Sequence, residues 1–141
     1  MLNLLIIGLG GFFGAVARAL TNSLVAKLAP HSPALGTLCV NVLGSFAMGL
    51  LFAYAQNKGV SPLTKSLIST GFLGAFTTFS TFSYENFLLL QSGNFAHLAL
   101  NILLNVALCL IAVILAFWLI KPVCSTLLYP PCQSPYLSYR Y

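Results

Sequence analysis

Charge is absent from this chain over distances that match the thickness of a membrane. No charged residue lies between Lys27 and Lys58, between Lys65 and Glu85, or between Glu85 and Lys121, and about 20 apolar residues suffice for one helical crossing of a bilayer. Only 5% of the 141 residues are charged, against roughly 25% in an ordinary soluble domain. A water-soluble fold cannot cover its surface with that. The formal charge of +5 comes from basic residues scattered singly along the chain, which is not the clustered footprint of a nucleic-acid-binding protein. The expected fold is a small all-α polytopic membrane protein. Its length leaves no room for a separate catalytic domain, and no enzyme is expected.

Four apolar stretches are expected to cross. The first runs from about Leu2 to Lys27, is interrupted only by Arg18, and lacks the basic start and cleavage site of a secretory signal, so it reads as retained. A Pro-containing turn separates it from the second, about Ala34 to Ala55, which closes at Gln56-Asn57-Lys58-Gly59. The third, about Leu63 to Leu90, is longer than a simple span requires and carries Gly71, Gly74 and a Thr/Ser-rich centre. Its composition predicts a helix broken near its middle. The fourth runs from about Phe95 to Ile120 and ends at Lys121-Pro122. Residues 1–121 thus form the transmembrane domain, and residues 122–141 an interfacial or disordered tail.

Four crossings put both termini on one side, with Lys58, Lys65 and Lys121, and leave Lys27 on the other. That bias favours termini inside by only a few charges. A chain inserting in both orientations is compatible with it. Cys39 and Cys109 fall inside apolar spans, where a small buried side chain is the ordinary reading. Cys124 and Cys132 in the tail are too far apart for a CxxC motif. His31 and His97 lack Cys, Asp or Glu at ligand spacing, so neither is assigned a metal.

A polar residue at bilayer depth must find a partner or line a wet cavity. The run Thr77-Thr78-Phe79-Ser80-Thr81-Phe82-Ser83 holds five hydroxyl residues among seven. Phe79 and Phe82, three apart, share a helix face, with Ser80, Thr81 and Ser83 beside it. The competing reading is that each hydroxyl bonds back to its own helix. Upstream, Gly71-Phe72-Leu73-Gly74-Ala75-Phe76-Thr77 has the composition of an interruption, since glycine costs about 1 kcal/mol relative to alanine inside a helix. A break there would offer carbonyls to cations and N–H groups to anions. Alternatively, the glycines allow close helix packing.

Asn41 lies mid-span with two amide donors. Asn101, Asn105 and Cys109 form one stripe on the last span, and interhelical hydrogen bonding is the rival reading for these asparagines. Arg18 follows a Gly10-xxx-Gly14 pair and either snorkels to the headgroups or walls a vestibule. Glu85 is the only carboxylate in the chain. Its place near the end of the third span suits a partner for Arg18 or a helix-terminus contact better than proton carriage.

The segments GGFFGAVAR, GTLCVNVLGSFAMG and GFLGAFTTFSTFSYE resemble, in order, the three signature blocks of the small bacterial fluoride channels, the CrcB or Fluc family. The resemblance covers about Leu2 to Ile120. It implies an antiparallel homodimer of dual topology in the bacterial inner membrane, with two separate pores surrounded by lipid, exporting cytoplasmic fluoride passively to reduce its toxicity. By the same resemblance Asn41, Phe79 and Phe82 line the pore, and Ser80, Thr81 and Ser83 form its hydroxyl track. Gly74 and Thr77 supply backbone carbonyls to a structural Na+ at the dimer interface, while Arg18 and Glu85 belong to the vestibule. Where the family often has a Tyr and a Ser in the last span, this chain has Asn101 and Asn105; Asn105 is expected to serve the pore.

The chemistry of the residues agrees. Fluoride is small, strongly hydrated and a strong acceptor, so a pore must replace its water with dense donors. Aromatic ring edges carry positive partial charge and can face an anion, and an uncharged pore binds weakly enough to release. The alternatives are a small four-helix proton-coupled multidrug exporter, which relies on a carboxylate in its first span where this chain has none, and a non-transporting assembly factor.

Overall fold

The computed structural model describes residues 1–30, Ser32 and residues 34–120. His31, Lys121 and the tail with Cys124 and Cys132 lie outside the described residues. The described residues form helices, α1 (Leu2–Leu28), α2 (Ala34–Lys58), α3 (Pro62–Lys65), a π-helical segment (Ser66–Leu73), α4 (Gly74–Phe76), α5 (Phe79–Gln91) and α6 (Phe95–Leu119), joined by short connections. No strand forms among the described residues. Three of these helices, α1, α2 and α6, are long and apolar enough to cross a membrane, and their limits fall close to the expected first, second and fourth stretches.

Local chemistry sets the ends. α2 stops at Lys58 because Gly59 takes a left-handed φ of 71°, a conformation that glycine adopts without a Cβ penalty. The next helix starts where the Ser61 hydroxyl accepts the Thr64 N–H at 3.1 Å, with Pro62 in the first turn. The helix then widens: Ser69 donates its hydroxyl to the Lys65 carbonyl at 2.7 Å, and the Gly74 N–H reaches back five residues to Ser69. After α5, a turn at Gly93 (φ 70°) leads into α6, which Asn94 caps through the His97 N–H.

Two helix pairings build the molecule. α1 lies on the π-helical segment and α4, and α2 lies on α6, with α5 crossing against α6 and α2. Small residues let the backbones touch. A Cβ on Gly10 would run into the Leu67 carbonyl oxygen, and one on Gly14 into the Phe72 carbonyl oxygen. The Gly10-xxx-Gly14 pair is therefore a packing seam, as small residues are at membrane helix contacts. The core is correspondingly slight, with Val40, Ala53, Leu73, Phe76, Phe82, Ala112 and Ala116 as its buried apolar members. Large apolar side chains such as Leu4, Phe12, Phe13, Leu103 and Trp118 point outward. Such a surface suits hydrocarbon and would be unsound in water.

The third stretch is broken, but not at its glycines. The extended residues are Thr77 (φ −78°, ψ 159°) and Thr78 (φ −148°, ψ 113°), at the threonine end of the segment expected to interrupt the helix. Gly71 is used for packing instead, lying against Ile7 and Gly10 of α1. The break settles where a side chain can serve the released backbone, and Thr78 provides one such group by accepting the Thr81 N–H as cap of α5.

Candidate functional site

In a continuous helix the Thr78 N–H would bond to the Gly74 carbonyl and the Thr81 N–H to the Thr77 carbonyl. Here the Thr78 N–H donates to Asn41 Oδ1 at 2.8 Å, and the Thr81 N–H donates to Thr78 Oγ1 at 3.2 Å. The Gly74 and Thr77 carbonyls therefore lack the helical N–H each would otherwise receive. The Thr77 hydroxyl turns away and donates to Leu73 at 3.0 Å. Gly74 itself is exposed, so its backbone is open to a neighbour outside the single chain.

Asn41 reaches the break from α2. Besides accepting from the Thr78 N–H, it donates through Nδ2 to the Thr78 carbonyl at 3.3 Å and to Asn105 Oδ1 at 3.1 Å. Both amide donors are thus engaged. The close approach of α2 that permits this depends on Gly44, where a Cβ would collide with the Thr77 methyl. From Asn105 the bonding continues: its Nδ2 donates to Asn101 Oδ1 at 3.1 Å and to the Asn101 carbonyl at 3.2 Å. Asn101 Nδ2 donates to Asn86 Oδ1 at 3.0 Å, and Asn86 Nδ2 donates to the Phe82 carbonyl at 2.9 Å. Asn86, Asn101 and Asn105 are all buried.

Phe79 and Phe82 follow the break on the first turn of α5. Their ring centroids are 5.6 Å apart with planes tilted by 47°. Phe82 is buried whereas Phe79 is 78% exposed, yet both border one groove of about 370 Å³, together with Asn41, Thr77, Thr78 and Asn105. No charged side chain lines it. The sequence-expected pore residues Asn41, Phe79, Phe82 and Asn105 are therefore brought together. Ser80, Thr81 and Ser83 lie outside the groove wall, exposed on α5. The Thr78 hydroxyl links Thr81 at 2.9 Å and approaches Ser80 at 3.4 Å.

Arg18 and Glu85 are not brought together: no ion pair joins them among the described residues. Glu85 Oε1 instead accepts the hydroxyl of buried Thr37 at 2.6 Å, and Glu85 Oε2 is buried without a hydrogen-bond partner. Arg18 is half-buried on α1 and does not line the groove. Two contributors, Thr37 and Asn86, escaped the sequence reading, and a third, Thr78, was read there without a role of its own. Thr78 sat within the hydroxyl run, and Asn86 was legible only as one more amide at membrane depth, next to Glu85.

A profile of the family described as CrcB-like protein, Camphor Resistance (CrcB), matches residues 5–117. Among similar curated proteins, a fluoride-specific ion channel FluC of Campylobacter jejuni is 68% identical over 122 residues, covering 86% of this chain and 100% of that protein. The protein of the same name from Campylobacter lari is 61% identical over 118 residues, 84% of this chain and 97% of its own. That of Shewanella sp. (strain ANA-3) is 50% identical over 115 residues, 82% and 93%. The matched region contains the broken third stretch and every residue that lines the groove, and the chain belongs to the CrcB-like family.

Proposed function

We propose that this chain is the subunit of a passive fluoride-selective channel that lets cytoplasmic fluoride leave the cell and so reduces its toxicity. The observation that carries this reading is the groove beside the break, where amide, hydroxyl and aromatic groups converge without a charged side chain. It occurs in a chain whose relatives are named fluoride-specific ion channels. Fluoride gives up tightly held water only to compact donors. Asn41 supplies them from the wall. Its present bonds, 3.3 Å to Thr78 and 3.1 Å to Asn105, lie at the long end of the hydrogen-bond range, so an arriving fluoride, a stronger acceptor than an amide oxygen, takes over an Asn41 donor. The edges of Phe79 and Phe82 face the ion, while Ser80, Thr81 and Ser83 continue the donor path along α5. Asn105 serves the pore by holding Asn41. Chloride is larger and gains less from this set. Without a fixed charge the ion is also released.

The working unit in this reading is an antiparallel homodimer of dual topology in the bacterial inner membrane, surrounded by lipid. Each copy contributes four crossings: α1, α2, α6 and a third made jointly by residues 62–76 and α5, whose 13 residues alone are too short for about 20. The exposed side of Gly74, Phe79 and the α5 hydroxyls is the part of the pore that a second copy closes. The Gly74 and Thr77 carbonyls suit a hard cation, because the break deprives them of their helical N–H donors. They would hold a structural Na+ at the dimer interface, where it supplies fixed positive charge between the copies and does not permeate. Arg18 and Glu85 belong to the approach to the pore. Hydrogen fluoride enters cells from acid surroundings and dissociates, and the negative membrane potential then drives the anion out by uniport.

The test is fluoride efflux from liposomes holding the purified protein in sodium, with potassium and valinomycin clamping the voltage and chloride as control anion. Rapid fluoride loss with negligible chloride loss is expected. A folded dimer that releases neither ion overturns the reading.

A further inference from the structure

We infer that Asn86 and Asn101, acting through Asn105 at the groove wall, form a relay of positioning residues that holds the Asn41 amide in one orientation, and through it the shape of the break, from buried positions that do not line the groove. This rests on the fluoride-channel reading above and adds residues to it. Each amide in the series gives its donor to the next one's oxygen: Asn41 to Asn105, Asn105 to Asn101, Asn101 to Asn86, and Asn86 to the Phe82 carbonyl. An amide has distinct donor and acceptor ends, so one fixed terminus propagates a single polarity along the whole series. Backbone groups pin the series in the same sense at three points: the Phe82 carbonyl at Asn86, the Asn101 carbonyl at Asn105, and the Thr78 N–H at Asn41. At the far end the Phe82 oxygen, which can only accept, draws Nδ2 of Asn86 toward itself and leaves Oδ1 toward Asn101.

With the polarity set, Asn105 presents Oδ1 to Asn41. Asn41 then turns Nδ2 toward Asn105 and Oδ1 toward the Thr78 N–H, the orientation in which it spans both backbone groups of Thr78. Reversal would set Asn41 Nδ2 against the Thr78 N–H, donor against donor. Mere fastening of helices would not require this. Four amides in series, joining α2, α6 and α5 and beginning at the carbonyl of a groove-lining phenylalanine, couple the first turn of α5 to the wall opposite. Asn86 does not line the groove. Any effect of its substitution on conduction is transmitted.

The relay is tested with the full chain in liposomes by fluoride efflux from Asn86→Leu, Asn105→Ala and the double variant, with Asn86→Ser as a milder replacement should the leucine variant not form dimers. Each single substitution is expected to slow fluoride efflux about tenfold, within the range that such networks transmit. The double variant is expected to match the slower single one, because Asn105→Ala already severs the relay. Effects that multiply to about a hundredfold, as for independent structural sites, overturn the relay, as does an Asn86 variant that conducts like the unsubstituted protein. The Asn41 side-chain amide signal in an NMR spectrum provides a readout independent of flux. It shifts in Asn86→Leu or Asn86→Ser if the relay operates, and an unmoved signal overturns it. If the unsubstituted protein releases no fluoride, the channel reading fails on its own, and the amide signal still decides the relay.

Discussion

Asn41 closes on Thr78 with both ends of its amide, accepting the Thr78 N–H at 2.8 Å and donating to the Thr78 carbonyl at 3.3 Å. The break in the third stretch is thereby stabilised by a side chain 37 positions earlier. Replacement by leucine, similar in size, orphans the Thr78 N–H and Asn105 Oδ1 together, and leaves the Thr78 carbonyl, the N-cap of α5, with its intrahelical bond alone. A buried unpaired group costs about 1–3 kcal/mol, and roughly 1.4 kcal/mol is a factor of ten in population. Under the channel reading, Asn41→Leu should reduce voltage-clamped fluoride efflux by at least about tenfold while the protein still elutes at the same position as the unsubstituted chain. Efflux equal to that of the unsubstituted chain would show that Asn41 neither shapes the break nor meets the ion.

Phe82 separates a channel from an assembly factor. Its ring is buried and stands 5.6 Å from that of Phe79 at the groove. Isoleucine keeps the apolar bulk but removes the aromatic edge that can face an anion. Phe82→Ile is expected to abolish fluoride efflux with little change in melting temperature. Retained efflux would mean that the rings merely fill space.

The three unbroken spans were legible because hydropathy over a bilayer's width is a one-dimensional property, as the limits of α1, α2 and α6 show. The broken one was legible in kind but not in place. Gly71 and Gly74 signal backbone freedom, yet what decides the break is Asn41 of another helix reaching Thr78, a long-range contact that no local pattern encodes. Asn41 and Asn105 were visible as amides in hydrocarbon, but the position of Asn86 between Asn101 and the Phe82 carbonyl emerges only when α5 and α6 are packed. Glu85 illustrates the same limit. Its charge suggests Arg18 as a partner, whereas helix packing supplies Thr37.

Gly14 and Gly8 make a matched pair on α1. A Cβ on Gly14 would strike the Phe72 carbonyl, whereas one on Gly8 meets nothing within 4 Å. Gly14→Ala should force α1 away from the π-helical segment at a cost of about 1–3 kcal/mol. Thermal unfolding in detergent should therefore shift down for Gly14→Ala and stay in place, or rise slightly through helix propensity, for Gly8→Ala. Equal behaviour of the two variants would contradict the packing seam.

Sodium dependence distinguishes the Thr77 carbonyl from its hydroxyl. The hydroxyl is spent on Leu73 at 3.0 Å, and the methyl group packs at Gly44. Valine retains the branched shape and loses only the oxygen. If the proposed sodium site is filled in the proposed dimer, exchanging sodium for N-methylglucamine should lower fluoride efflux and destabilise that assembly, since an ion bound only by the folded assembly stabilises it by mass action. Thr77→Val should show the same sodium dependence. Loss of that dependence in Thr77→Val would assign the hydroxyl, and indifference of the unsubstituted protein to sodium would remove the ion from the proposal.

Glu85 tests whether transport is coupled to protons. As the only carboxylate in the chain, it is the sole acidic side chain on which a proton-coupled exporter could depend. Its Oε1 accepts the Thr37 hydroxyl at 2.6 Å, and a glutamine retains that acceptor while abolishing titration. Under the channel reading, Glu85→Gln still releases fluoride down its electrochemical gradient, at a rate unchanged when a protonophore collapses the pH difference under the valinomycin clamp. The Thr37→Val variant should disturb the same position more, because Glu85 already has Oε2 buried without a partner and would lose the hydrogen bond that Oε1 accepts from Thr37. Transport that stops in Glu85→Gln and follows the pH gradient in the unsubstituted chain would instead make the carboxylate the coupling group and the protein an exporter.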